Sequence, residues 1–157
     1  MKLTSASYRD KGIIPERYAT TAVAGGKNLS PQFSWSDAPP GTKSLVLAII
    51  DVHPMASRWV HWIAVNIPPG INSLEENCSN TTKLPAGIKE LNNTFGRKGY
   101  GGPQPPKGSG KHEYVTTLYA LDIEKINLSE EVSEKGLLKE TGSHIIGKAV
   151  YTGYFSR

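Results

Sequence analysis

Two stretches decide the fold of this chain: Ser44-Leu-Val-Leu-Ala-Ile-Ile-Asp51 and Arg58-Trp-Val-His-Trp-Ile-Ala-Val-Asn-Ile67. Both are rich in β-branched, aliphatic and aromatic residues, as strands are. The second is apolar at both parities, with Trp59, Ile63, Val65 and Ile67 on one and Val60, Trp62 and Ala64 on the other. A strand with no polar face is covered on both sides and lies centrally in its sheet. Glu113–Asp122 and Ala149–Phe155 read as two more long strands, and Leu3–Tyr8 and Gln32–Ser36 as shorter ones. Helical signal is confined to Glu134–Thr141, where Ser133 is a suitable N-cap and Gly142 a suitable stop. A short helical turn is expected over Ser143–Lys148. The pattern predicts one mostly β domain spanning residues 1–157.

Composition supports a folded core. The chain has 157 residues, 38% of them apolar, with 16 glycines and 11 prolines. The longest aliphatic run, Leu45–Ile50, is far short of the roughly 20 residues that a membrane-spanning helix needs. Met1–Tyr8 contains no apolar stretch of signal-peptide length. The single cysteine, Cys78, excludes an internal disulfide and an all-cysteine zinc site. A reduced, cytoplasmic setting is expected from these features.

Charge is uneven. The net charge is +4, yet Lys83–Lys111 holds six basic residues against one acid, and Asp122–Glu140 holds six acids against three lysines. A basic segment beside an acidic one can steer an anion, although a solvated surface with local imbalance has the same pattern. Aromatic residues accompany this charge without any nucleic-acid-binding motif, so no nucleic-acid partner is expected. The phosphate-binding loop, zinc-protease and nucleophile-elbow motifs are all absent.

Chemistry concentrates in three segments. Asp51 ends an apolar strand and is followed by Val52-His53-Pro54; His61 sits in the middle of another. A titratable group in such a run is costly unless paired. His61 is therefore either a satisfied core histidine or the wall of a polar pocket with Asp51 as its partner. The third segment is Gly99-Tyr-Gly-Gly-Pro-Gln-Pro-Pro-Lys-Gly-Ser-Gly-Lys-His-Glu-Tyr114. Its glycines permit close backbone approach, Pro103, Pro105 and Pro106 stiffen it, and exposed N–H groups in a glycine turn can cradle an anion. Tyr100, His112 and Tyr114 supply further donors. His53, His61, His112 and Asp51 come from separate segments without metal-ligand spacing beyond Asp51-x-His53, so no metal site or cofactor is expected.

Together these pieces resemble the phosphatidylethanolamine-binding protein family, in its bacterial and archaeal branch similar to Raf kinase inhibitor protein. The resemblance runs through Leu29–Trp35, Ala38-Pro-Pro-Gly41, Ser44–Ala48, Val60-His-Trp62 and Asn66-Ile-Pro68. It continues through Gly99–Pro106, His112-Glu-Tyr114, Tyr119–Asp122, His144-Ile-Ile146 and Gly153-Tyr154. It implies a Greek-key fold of two antiparallel sheets with a small anion pocket at one end. The pocket residues it implies are Asp51, His61, Gly101, Gly102, Pro103, Pro105, Pro106, His112 and Tyr114, with Trp62 on the sheet's other face. Phosphate, phosphorylethanolamine or acetate occupies that pocket in the family, whose members bind lipid head groups or nucleotides and regulate kinases or serine proteases without established catalysis.

Two departures from the family pattern stand out. Its D-P-D-x-P motif is here Asp51-Val-His-Pro-Met55, which places His53 in the position of a second carboxylate, and Gln104 replaces a frequent cysteine. The expectation is a non-enzymatic binding protein for a phosphate-like anion, and secondly a kinase or protease inhibitor acting through surface loops. A hydrolase built on Asp51 and His61 is disfavoured, because no serine in a strained elbow accompanies them. Homodimers are the commonest assembly, a base rate that applies here too.

Overall fold

A computed structural model describes residues 1–131 and 133–157. Ten elements follow in order: β1 (Lys2–Thr4), β2 (Gly12–Ile13), β3 (Phe33–Ser36), β4 (Ser44–Asp51), β5 (Trp59–Ile67), β6 (Ser73–Leu74), β7 (Lys89–Glu90), β8 (His112–Leu121), α1 (Glu134–Thr141) and β9 (Ile145–Phe155). They form a three-stranded sheet, β1-β3-β6, and a six-stranded sheet, β2-β9-β8-β4-β5-β7. The chain leaves β5 and returns to lay β8 on the far side of β4, the crossing that defines a Greek key. All pairings are antiparallel except the two-residue parallel contact of β2 with β9.

The large sheet is covered on both faces. Leu45, Leu47 and Ile49 of β4 face the small sheet with Phe33 and Trp35, together with Tyr8 and Tyr18. Val46, Ala48 and Ile50 face the opposite way, toward Leu91, Ile126, Leu128 and Leu137 of α1. All eight residues of β4 are buried, as its unbroken apolar run predicts.

Three local expectations are corrected. Strand β1 stops at Thr4, because Ser5 and Ser7 turn their hydroxyls to the Gln32 backbone instead of continuing the ladder. Gly142 is not a left-handed stop: it is right-handed helical and leads into a 3-10 turn ending at His144. Strand β9 begins directly afterwards, four residues earlier than the sequence suggests, because pairing with β8 reaches back to Ile145.

The faces of β5 are also corrected. Two register shifts interrupt the β4–β5 ladder, so Ile50 pairs with Val60 while Ile49 pairs with Trp62, leaving His61 as an extra residue. Such a bulge breaks strict alternation. Val60 packs with the outer cluster and Trp62 with the inner one. The His61 ring meets Tyr114, a member of that same inner cluster. His61 and Trp62 therefore share a face, contrary to the expectation that Trp62 lies opposite.

Candidate functional site

Antiparallel registry brings the site together. Asp51, the last residue of β4, pairs with Trp59 at the start of β5 and with Tyr114 near the start of β8. The bulge then turns His61 toward the same end of the sheet. Asp51, His61 and His112 are only 4%, 3% and 2% exposed, so each must be hydrogen-bonded to be tolerated.

The bonds are there. His112 Nδ1 donates to Asp51 Oδ2 at 2.7 Å, and the His53 N–H donates to Asp51 Oδ1 at 2.9 Å. Both carboxylate oxygens thus have partners. The His53 ring stacks on His112 with centroids 3.9 Å apart and 17° between planes, and its Nδ1 accepts from the Met55 N–H at 3.3 Å. His61 Nδ1 lies 2.6 Å from the Gly101 carbonyl. A carbonyl only accepts, so the proton sits on Nδ1 and Nε2 carries the lone pair. Burial lowers the His61 pKa to about 4 against the opposing pull of the Gly101 carbonyl and the Asp51 charge. At neutral pH His61 is a neutral acceptor, not a cation.

A cavity of about 250 Å³ opens beside these groups, with Asp51, Trp59, His61, Phe95, His112 and Tyr114 in its wall and Met55, Ala56, Gln104, Pro105 and Pro106 completing it. Two of the lining side chains hold buried donors that no described protein group satisfies: the Tyr114 hydroxyl and the Trp59 indole N–H. Burial, reinforced by the charge of the Asp51 carboxylate and by the phenol's approach to it, which falls short of a well-formed hydrogen bond, holds the Tyr114 phenol far above its usual pKa, so it keeps its proton. Unpaired buried donors are rare in folded proteins because each costs on the order of 1–3 kcal/mol. Both residues line the cavity, while the two donor atoms themselves are buried just beneath its surface.

The expected site residues divide. Asp51, His61, Pro105, Pro106, His112 and Tyr114 line the cavity. His53 supports it from behind His112. Tyr100 and Gly101 line a neighbouring trough instead, while Gly102 and Pro103 line neither. The Gly99–Gly102 stretch is not an anion cradle, because its amides are already spent. Gly99 N–H donates to the Leu91 carbonyl, Tyr100 N–H to Ser79 Oγ, Gly101 N–H to the His61 carbonyl and Gly102 N–H to Asn28 Oδ1. Its glycines serve close packing within the chain: a Cβ on Gly102 would lie 2.1 Å from the Tyr18 carbonyl oxygen. Sequence reasoning missed Met55, Ala56, Trp59, Phe95 and Gln104. Trp59 was within reach, since it is two residues from His61 on one strand; Phe95 and Gln104 arrive on loops that carry no periodicity.

The structure also supplies a serine. Ser109 Oγ lies 2.9 Å from His112 Nε2, giving the order Ser109–His112–Asp51 of a hydrolytic triad. However, the same hydroxyl lies 2.7 Å from the Pro106 carbonyl, which can only take its proton. With Nδ1–H given to Asp51, a neutral His112 presents a lone pair at Nε2, so Pro106 and His112 compete for the one hydroxyl proton of Ser109. Ser109 is also absent from the cavity wall. Its place is behind His112, which it orients.

The model of the phosphatidylethanolamine-binding proteins matches residues 4–156. The chain belongs to this family. A UPF0098 protein of Methanothermobacter thermautotrophicus is 38% identical over 157 residues, covering all of this chain and 99% of its own length. The UPF0098 protein YbhB of Escherichia coli is 36% identical over 159 residues, covering 99% of this chain and all of its own length. The crystal structure of E. coli YbcL, described as a new member of the mammalian family, superposes with a TM-score of 0.91 at 31% identity, over 99% of this chain and 98% of that one. A Chlamydia trachomatis homologue gives 0.82 at 32% identity, over 99% and 97%. The family fold is thereby shown. No helix among the described residues is long and apolar enough to cross a membrane, and no group of three or more His, Cys, Asp and Glu residues placed to hold a metal occurs among them.

Proposed function

We propose that this chain is a binding protein whose cavity takes a singly charged, protonated phosphate-like group: phosphate itself or a phosphomonoester head group such as phosphorylethanolamine. The observation that carries this is the pair of unsatisfied buried donors, Tyr114 Oη–H and Trp59 Nε1–H, in two residues that line the cavity together with Asp51 and His61. The two donors call for oxygen acceptors. Asp51 and the His61 Nε2 lone pair call for a donor. A monoanion that still carries one acidic proton satisfies both, whereas a fully ionised dianion meets the Asp51 carboxylate with nothing to share.

Calorimetric titration with inorganic phosphate and with sulfate tests this at neutral pH. Phosphate retains a proton there and binds; sulfate does not and fails. Affinity for phosphorylethanolamine falls as pH rises through its second ionisation, near pH 6. Sulfate binding as tightly as phosphate would overturn the shared-proton reading.

A further inference from the structure

Beside the cavity lies a second concavity of about 530 Å³, and the two share Phe95 and Gln104 as a common wall. Their linings differ in chemistry. The first presents Asp51; the second has Arg97 as its one charged lining residue, with the hydroxyls of Thr20 and Thr21 nearby. Among the described residues no carboxylate pairs with Arg97. Its backbone is held in place, since Asn93, itself buried, accepts from the N–H groups of Phe95 and Arg97 and donates to the Gly99 carbonyl. Asn28 likewise spends its amide on Gly102 and Tyr100. Each of the two asparagines thus spends its oxygen and one of its two amide N–H groups within the protein. Thr20 Oγ1 donates to Gln104 Oε1 at 2.9 Å, which fixes the carboxamide at the partition and leaves its NH₂ free to donate. The lining groups with unspent donor capacity are Arg97, Thr21, the Gln104 amide nitrogen and one N–H of each asparagine.

From this contrast we propose that the trough is a second anion subsite, and that the chain recognises small ligands with two acidic groups: a phosphomonoester seated in the Asp51 cavity whose substituent ends in a carboxylate held by Arg97. The proposal rests on the monoanion reading of the first cavity and adds the identity of the substituent. A carboxylate on a guanidinium accepts charge-assisted hydrogen bonds, and the acid-free wall imposes no like-charge penalty. Gln104 borders both halves and contacts the ligand at the junction.

The test compares 3-phosphoglycerate with glycerol 3-phosphate, which differ in that carboxylate, by titration against the wild-type chain and Arg97→Gln at pH about 5, where the phosphomonoester group of each is mostly the monoanion. The expected result is binding about ten-fold tighter for 3-phosphoglycerate in the wild type. Arg97→Gln abolishes that preference while leaving glycerol 3-phosphate affinity unchanged, and Arg97→Lys recovers part of it. The Arg97 side chain is exposed, so these variants fold. Equal binding of both ligands by the wild type, or a preference that survives Arg97→Gln, overturns the subsite while leaving the first cavity standing. Failure of glycerol 3-phosphate to bind at all, or binding that survives Tyr114→Phe undiminished, instead overturns the first cavity as the phosphate seat, and the subsite with it.

Discussion

His61 and Gly101 hold each other twice: the imidazole Nδ1–H donates to the Gly101 carbonyl at 2.6 Å, and the Gly101 N–H returns to the His61 carbonyl at 2.8 Å. This pair ties the bulge of β5 to the glycine segment across forty positions of sequence. It also fixes the tautomer that leaves Nε2 facing the cavity side.

A pH dependence of stability follows. The folded His61 pKa, about 4, lies below the ordinary histidine value of roughly 6.5. The unfolded chain therefore binds a proton between these values that the native state refuses. The contribution is intact above pH ~6.5 and is lost as pH falls toward ~4, amounting to about 3 kcal/mol in all. Urea unfolding of the wild type and His61→Gln across that window is the measurement. The variant is less stable at neutral pH but loses less on acidification; parallel pH profiles would count against a neutral His61.

Tyr114→Phe separates binding from folding. Its hydroxyl has no described partner, so its removal leaves stability within about 1 kcal/mol or raises it slightly. Phosphate affinity, in contrast, falls at least about ten-fold. A variant that binds phosphate as tightly as the wild type would move the ligand away from this wall.

Ser109→Ala tests the role assigned to the relay. Phosphate affinity falls about three-fold as His112 loses its anchor, and the imidazole ¹⁵N shifts of His112 change in an NMR titration. Ser109→Thr restores both. Hydrolysis of p-nitrophenyl esters stays at the buffer rate for wild type and variant alike. Turnover that disappears with Ser109 would instead make it a nucleophile.

Gly102→Ala challenges the packing explanation for the glycine segment. Its Cβ would meet the Tyr18 carbonyl oxygen at 2.1 Å and Ala19 C at 2.7 Å, both backbone atoms unable to swing aside. A destabilisation of about 3 kcal/mol is expected, measured by thermal unfolding. Gly102 has no positive φ, so a neutral substitution would show that the two segments can part.

The Arg58 guanidinium reaches Glu134 in the first turn of α1, with Nη2–Oε1 at 2.6 Å, joining the segment that carries Met55 and Ala56 to the helix. The Arg58 side chain is 59% exposed, so solvent screens the pair. Glu134→Gln costs less than about 1 kcal/mol and leaves phosphate titration unchanged. A larger loss of affinity would mean that this link shapes the cavity mouth.

Periodicity and residue type alone determined that Ser44–Asp51 and Trp59–Ile67 are central strands, that Ser133 caps α1, and that Asp51, His61, His112 and Tyr114 are misplaced in apolar surroundings unless they meet. Those are local properties, readable because burial and capping act over a few residues. Only the tertiary structure decided what the groups do for one another. The extra residue at His61 reverses the face of everything before it, a shift set by registry with β4. The glycine amides that looked free are consumed by Leu91, Ser79, His61 and Asn28, partners up to 74 residues away. The Trp59 and Tyr114 donors that looked ordinary are left without partners. Whether a hydrogen-bonding group is spent or available depends on what folds against it, and strand pairing, not sequence spacing, makes that choice.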